Sequence, residues 1–349
     1  MTAKPVQERG KKPNFMLTRR RILPTLAWAA VLLVALSARN ASAQISGGYD
    51  RSGPWGELPY GLQPWPSVIA VAIGPHGDVY ALTRCHENSC VGRSESPVLK
   101  FDPSGRLLKS WGSRMFEFPH GLYVDSDGHV WATDTQTNQV LKFSSNGELL
   151  MTIGKKDVAG SPPELLSEPT GVVASRKGDI FIIEGHSEGV GDRVDHYSKD
   201  GRFISSFGRY GSGPGMLNAP HCISMDSRGR LFVGDRSNNR IEIFTQAGEF
   251  VAAWMQFGRP SGIFISKDDA LYVSDSESNT TAVHSLNPGM KKGIRIGSAL
   301  DGKVSDFIED IEASSPDPSG PELIAVNRSG GIYGGNIRRR MIEKYTKVR

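Results

Sequence analysis

Only three cysteines, Cys85, Cys90 and Cys222, occur among 349 residues, which excludes a scaffold held together by disulfides. Cys85 and Cys90 can close a small loop in an oxidising compartment or remain two thiols. With His86 beside them they supply too few ligands for a zinc knuckle. Long apolar runs are missing as well: the most extended, Ile22 to Leu36, falls short of the ~20 residues that a membrane span needs. A positive excess is missing beyond the start of the chain. The formal net charge is +4, but residues 1–43 hold eight Lys/Arg against one Asp/Glu, or +7, so the remainder stands at −3. Nothing there suggests a nucleic-acid partner. With 38% apolar and 22% charged residues, the composition is that of a globular chain rather than a disordered one.

The first 43 residues have the form of an export signal. Lys4, Arg9, Lys11, Lys12 and Arg19-Arg20-Arg21 precede the apolar run, and Ala41-Ser42-Ala43 before Gln44 is a small-residue cleavage site. Thr18-Arg19-Arg20-Arg21-Ile22-Leu23 resembles a twin-arginine motif, with Ile22 where that motif prefers Phe. The expectation is a signal peptide over 1–43 and a periplasmic or secreted protein over 44–349, with no membrane attachment after cleavage.

What is abundant is punctuation. Forty glycines and 21 prolines follow no collagen period, and they mark a repeat instead. Pro119-His120-Gly121-Leu122, Pro169-Thr170-Gly171-Val172, Pro220-His221-Cys222-Ile223, Pro260-Ser261-Gly262-Ile263 and Pro321-Glu322-Leu323-Ile324 each lead to a second apolar run. A weaker copy begins at Val68-Ile69. The residue after the proline falls at 120, 170, 221, 261 and 322, with Ile69 at the matching place in the weaker copy, and the second run begins ten positions later each time. Constant internal spacing with variable linkers is what repeated units with elastic loops produce.

Each unit reads as four strands. Short β-branched runs such as Ile180-Phe181-Ile182-Ile183 are bounded by turns such as Asp127-Gly128 and Asp200-Gly201. Six units of four strands predict an all-β, six-bladed β-propeller, because radial repetition protects edges that a lone sheet would expose. Residues 44–60 are expected to add a strand to the last blade and close the ring.

Equivalent positions in such a ring surround one axis. His120, His221 and Glu322 share the position after the proline in blades two, four and six, while Ile69, Thr170 and Ser261 hold it in the others. Two imidazoles and a carboxylate related by a third of a turn are a competent set for a divalent ion. Glu322 could instead pair with a channel arginine. Arg84 and Arg236 share another position, after the second strand, and suit bidentate capture of a carboxylate. His186, in the loop Glu184-Gly185-His186-Ser187, is a candidate general acid–base. Asp134, Asp235 and Asp275 are expected to bond backbone N–H groups, and Arg338-Arg339-Arg340 to be a solvated strand end.

The Pro-x-Gly … Gly-x-φ-φ-φ-x-Asp … Asn-x-Arg-φ-x-φ-Phe pattern, clearest from Pro220 to Phe244, resembles NHL repeats. Over roughly residues 60–349 the chain also resembles the peptidyl-α-hydroxyglycine α-amidating lyase family. That resemblance implies a six-bladed propeller with an axial zinc ion bound by three histidines, and cleavage of a carbinolamide to a peptide amide and glyoxylate. Its first two zinc histidines match His120 and His221, and its substrate arginines match Arg84 and Arg236. His186 stands where the family has a catalytic tyrosine, and Glu322 where it has the third histidine.

Two readings follow. One is an exported metal-dependent lyase-like enzyme acting on a small-molecule or peptide ligand on the axis, with zinc as the metal and calcium as the alternative. The other is a non-catalytic propeller that binds a peptide, glycan or protein.

Overall fold

The fold is described from a computed structural model over residues 48–58 and 64–348; the expected export segment 1–43 lies outside them. Twenty-four strands form six four-stranded antiparallel sheets. Five sheets are built from consecutive strands: 68–111, 119–153, 169–207, 220–254 and 262–309. The sixth takes three strands from 324–347 and its outermost from Tyr49–Ser52, which pairs antiparallel with Met341–Lys347 from Tyr49↔Lys347 to Ser52↔Lys344. The last blade is thus completed by the start of the propeller, as expected, and the ring closes through backbone hydrogen bonds.

Burial follows the order of strands outward from the axis. The second strands, such as Val130–Asp134 and Ile180–Glu184, are buried throughout, whereas the outermost, such as Leu149–Ile153, are mostly exposed. Apolar clusters bridge neighbouring blades; one joins Ile69, Tyr80 and Leu82 of blade one to Leu122, Val130 and Phe143 of blade two. Such interleaving sheets hide the faces that a single blade would leave wet.

Two local features aim residues at the axis. In blades one to four the pairing register between first and second strands slips just after the position of the repeat proline: between Val68 and Ala70, Pro119 and Leu122, Pro169 and Gly171, and Pro220 and Cys222. Ile69, His120, Thr170 and His221 therefore sit in β-bulges, left out of the regular ladder and redirected. The second feature is glycine. A Cβ on Gly121 would lie 2.6 Å from Thr170 O and 3.0 Å from Gly171 Cα, so the inner strands of blades two and three can approach only because residue 121 has no side chain.

The aspartate column is structural, as expected. Asp134 accepts from the backbone N–H groups of Glu117 (2.7 Å), Phe118 (2.8 Å) and Thr137 (2.8 Å). Asp235 does the same for Asn218, and Asp275 for Arg259. Arg338 is exposed, as expected, but Arg339 and Arg340 differ from expectation. Arg339 is mostly buried and bonds Asp310 and Glu343, while Arg340 donates to Trp65 O. Glu343 lies four residues on, in the strand after the same turn, whereas Asp310 comes from the preceding blade and the sequence does not announce it.

Candidate functional site

One face of the ring holds a cavity of about 440 Å³ on the axis, lined by Arg84, Asn88, Phe118, His186, His221, Arg236, Glu277 and Glu322 among others. His120 is fully buried against two of these, its ring 4.3 Å from that of His221 and 5.1 Å from that of His186.

The two bulge histidines are oriented by their neighbours. His120 Nδ1 lies 2.9 Å from Thr170 O, and His221 Nδ1 lies 2.7 Å from Ser261 O. A carbonyl oxygen only accepts, so both Nδ1 atoms carry the proton and both Nε2 atoms present lone pairs. Those two Nε2 atoms face each other at 2.9 Å. Burial first, then nearby positive charge, holds both imidazoles well below their usual pKa, so both are neutral. Two acceptors at this distance lack a donor between them. Two imidazoles bound to one tetrahedral ion would stand about 3.3 Å apart at Zn–N distances of ~2.0–2.1 Å, so a small opening of the pair fits a cation. Hydrogen bonding from the far ring nitrogen to a carbonyl is also the usual support of a metal-ligating histidine.

The third member of the cluster is not the one expected. His120, His186 and His221 have ligand atoms within 4.8 Å of one another, and Glu322 is not part of that group. Glu322 lines the same cavity, but its Oε1 accepts from Ser276 Oγ at 2.8 Å and its backbone carbonyl accepts from Ser274. Its Oε2 is buried with no hydrogen-bond partner among the described residues, and burial together with Glu277 pushes its carboxyl up. A histidine at this repeat position donates to the next blade's carbonyl and turns Nε2 to the axis. A carboxylate cannot donate, and here it bonds a hydroxyl instead. The alternative pairing of Glu322 with an arginine is not seen as a direct ion pair among the described residues, although Arg84 and Arg236 both stabilise its charge.

His186 enters the cavity from the loop after Ile180–Glu184. Gly185 has φ +115°, and a Cβ there would meet the backbone N of Asp192 at 2.7 Å. That glycine turns the chain sharply enough to bring His186 beside Phe118 and His120. Burial, followed by the charges of Arg236 and Arg84, lowers its pKa to about 3. A neutral imidazole suits metal ligation better than proton transfer near neutral pH.

The two arginines occupy the same cavity. The Arg84 guanidinium stacks 3.7 Å over the Phe118 ring, donates from Nη1 to Asn88 Oδ1 at 2.7 Å and from Nε to Pro119 O at 3.2 Å. Burial lowers its pKa to about 10, which leaves it charged. A Cys85–Cys90 disulfide closes the loop that carries Asn88, settling the open choice between bond and thiols. Arg236 has its Nε buried without a partner among the described residues, and its Nη1 lies 3.7 Å from Glu277 Oε2. Glu277 is pinned from behind by Arg259 Nε at 3.2 Å. Burial raises the Glu277 carboxyl, but Arg236 and Arg259 outweigh that and hold it below its ordinary value, ionised.

Sequence reasoning missed Glu277, Asn88 and Ser276. A signal for Ser276 was there: it follows Asp275 as Arg236 follows Asp235, so it belongs to the arginine column. Nothing comparable marks Asn88.

A ring of six four-stranded blades around a polar axial cavity defines the class, and the chain is a six-bladed β-propeller carrying NHL repeats, which match at residues 116–143 and 217–244. Within that class it is similar to peptidyl-glycine α-amidating monooxygenase B of Xenopus laevis, 30% identical over 271 residues that cover 72% of this chain and 29% of that protein. It is similar to NHL repeat-containing protein 3 of Homo sapiens, 28% identical over 266 residues, or 72% of this chain and 73% of that protein. Peptidyl-α-hydroxyglycine α-amidating lyase 1 of Drosophila melanogaster is 31% identical over 163 residues, 43% of this chain and 29% of that protein. The chain thus spans under a third of the amidating monooxygenase that it matches. Among the described residues no helix is long and apolar enough to cross a membrane.

Proposed function

We propose that this propeller is a metal-dependent, lyase-like enzyme acting on a carboxylate-bearing small molecule or peptide bound on the axis. The observation that carries the reading is the pair of neutral imidazoles of His120 and His221, locked through Nδ1, whose Nε2 lone pairs face each other at 2.9 Å with no donor between them. A divalent cation satisfies both. Nitrogen-rich ligation favours zinc over calcium, which takes oxygen ligands. When bound, such an ion polarises a hydroxyl or carbonyl oxygen of a substrate.

The remaining work belongs to the side chains. Arg84, braced by Asn88 and Phe118, and Arg236, with an unsatisfied Nε, would hold the substrate carboxylate. Glu277, 3.7 Å from Arg236 Nη1 and held by Arg259, would steady the Arg236 guanidinium. His186 and Glu322 stand beside the imidazole pair and complete the site. The Cys85–Cys90 disulfide supports a working place in an oxidising compartment, in keeping with an exported protein. The similarity to an α-amidating lyase supports the reaction class.

A second reading is a binding scaffold without chemistry, since the match to NHL repeat-containing protein 3, over 73% of that protein, carries no activity in its name. Metal analysis of the purified protein separates the two. The enzyme reading expects about one zinc per chain, lost in His120→Ala and His221→Ala variants that keep wild-type circular dichroism. Protein that neither retains nor takes up zinc after refolding with the metal would overturn it.

A further inference from the structure

The repeat places one axial residue per blade, and on that rule alone the ion would take its ligands from alternate blades. Side-chain chemistry breaks the rule. The imidazoles at 120 and 221 can donate backward to Thr170 O and Ser261 O and still point Nε2 at the axis. The carboxylate at 322 has no proton to donate, and it is engaged by Ser276 Oγ, which itself shares a hydrogen bond of 2.8 Å with Ser261 Oγ. Meanwhile His186, from the intervening blade, makes no side-chain hydrogen bond among the described residues and lies with its ligand atom within 4.8 Å of both other imidazoles.

Resting on the metal reading above, we infer that the ion is held by His120, His186 and His221, from three consecutive blades, and that Glu322 remains outside its coordination. The three imidazoles then come from blades two, three and four, and Glu322 from blade six. Glu322 Oε2, buried and unpaired, is left to accept a hydrogen bond.

The test is metal binding rather than turnover. Metal-stripped full-length mature protein is titrated with Co²⁺, read by its visible ligand-field absorption, and with Zn²⁺ in competition with a chromophoric chelator. His186→Gly should weaken binding by more than the ~10–100-fold typical of losing an outer-shell partner, and added imidazole should restore both affinity and spectrum. Glu322→Gln should leave affinity and the Co²⁺ spectrum as in the wild type. Loss of binding in Glu322→Gln overturns the assignment, as does unchanged binding in His186→Gly, while the metal reading itself survives either result. Wild-type protein that binds neither ion brings down both. Imidazole rescue separates a missing ligand from a damaged fold.

Discussion

Gly121→Ala couples the architecture to the site in a measurable way. The added methyl would stand 2.6 Å from Thr170 O, 3.0 Å from Gly171 Cα and 3.0 Å from Thr133 Oγ1. Two of these are backbone atoms of the next blade, so the strands must part by several tenths of an ångström. Overpacking of this kind costs about 1–3 kcal/mol. Thr170 O is also the atom that fixes the His120 tautomer, so parting the strands weakens that hydrogen bond, and loss of such outer-shell support lowers metal affinity by ~10–100-fold. Denaturant unfolding of the metal-free protein gives the first quantity and Zn²⁺ competition the second. Gly335→Ala is the matched control. Its Cβ would meet Val68 O at 2.9 Å and Ala70 N at 3.0 Å, and Gly335 O accepts from the Glu322 backbone N–H rather than supporting an imidazole. It should cost similar stability while leaving zinc affinity intact. Equal zinc affinity in Gly121→Ala and wild type, with stability reduced, would refute the claim that the blade contact sets the imidazole.

Arg339→Ala takes the cation from the buried Asp310 carboxylate, while Glu343 keeps Arg51, and should cost about 3 kcal/mol, read as a lower denaturant midpoint; a loss below about 1 kcal/mol would mean the network is solvated. Burial, reinforced by Asp235, raises the Glu242 pKa from 4.5 to about 7 against the pull of Arg240 and the Gly215 N–H. Between those values the folded protein keeps a proton that the unfolded chain has released, so this contribution is full below pH 4.5 and fades as pH rises through about 7. Thermal melts should show Glu242→Gln flattening that decline, and an unchanged pH profile would count against the shift. Denatured, unreduced protein should present one reactive thiol, Cys222, and three after reduction; three before reduction would show the 85–90 bond to be absent.

Spacing along the chain determined the ring. The ten-residue interval between paired strands and the recurring Pro-x-Gly were enough to set six blades, the closing strand near residue 50, and the axial placement of His120 and His221. These are properties of backbone periodicity, which short-range turn chemistry enforces. The arginine column was legible for the same reason.

What only the tertiary structure decided was how side chains off the periodic positions meet. His186 lies one residue past the repeat column, and it reaches the cluster because Gly185 adopts a φ of +115° under a loop folded against Asp192. Glu322 occupies the right column yet turns to Ser276, because a carboxylate lacks the proton with which an imidazole anchors itself to the neighbouring blade. Periodicity determines where a backbone passes, but hydrogen-bond donors and acceptors contributed by distant segments determine which way its side chains face.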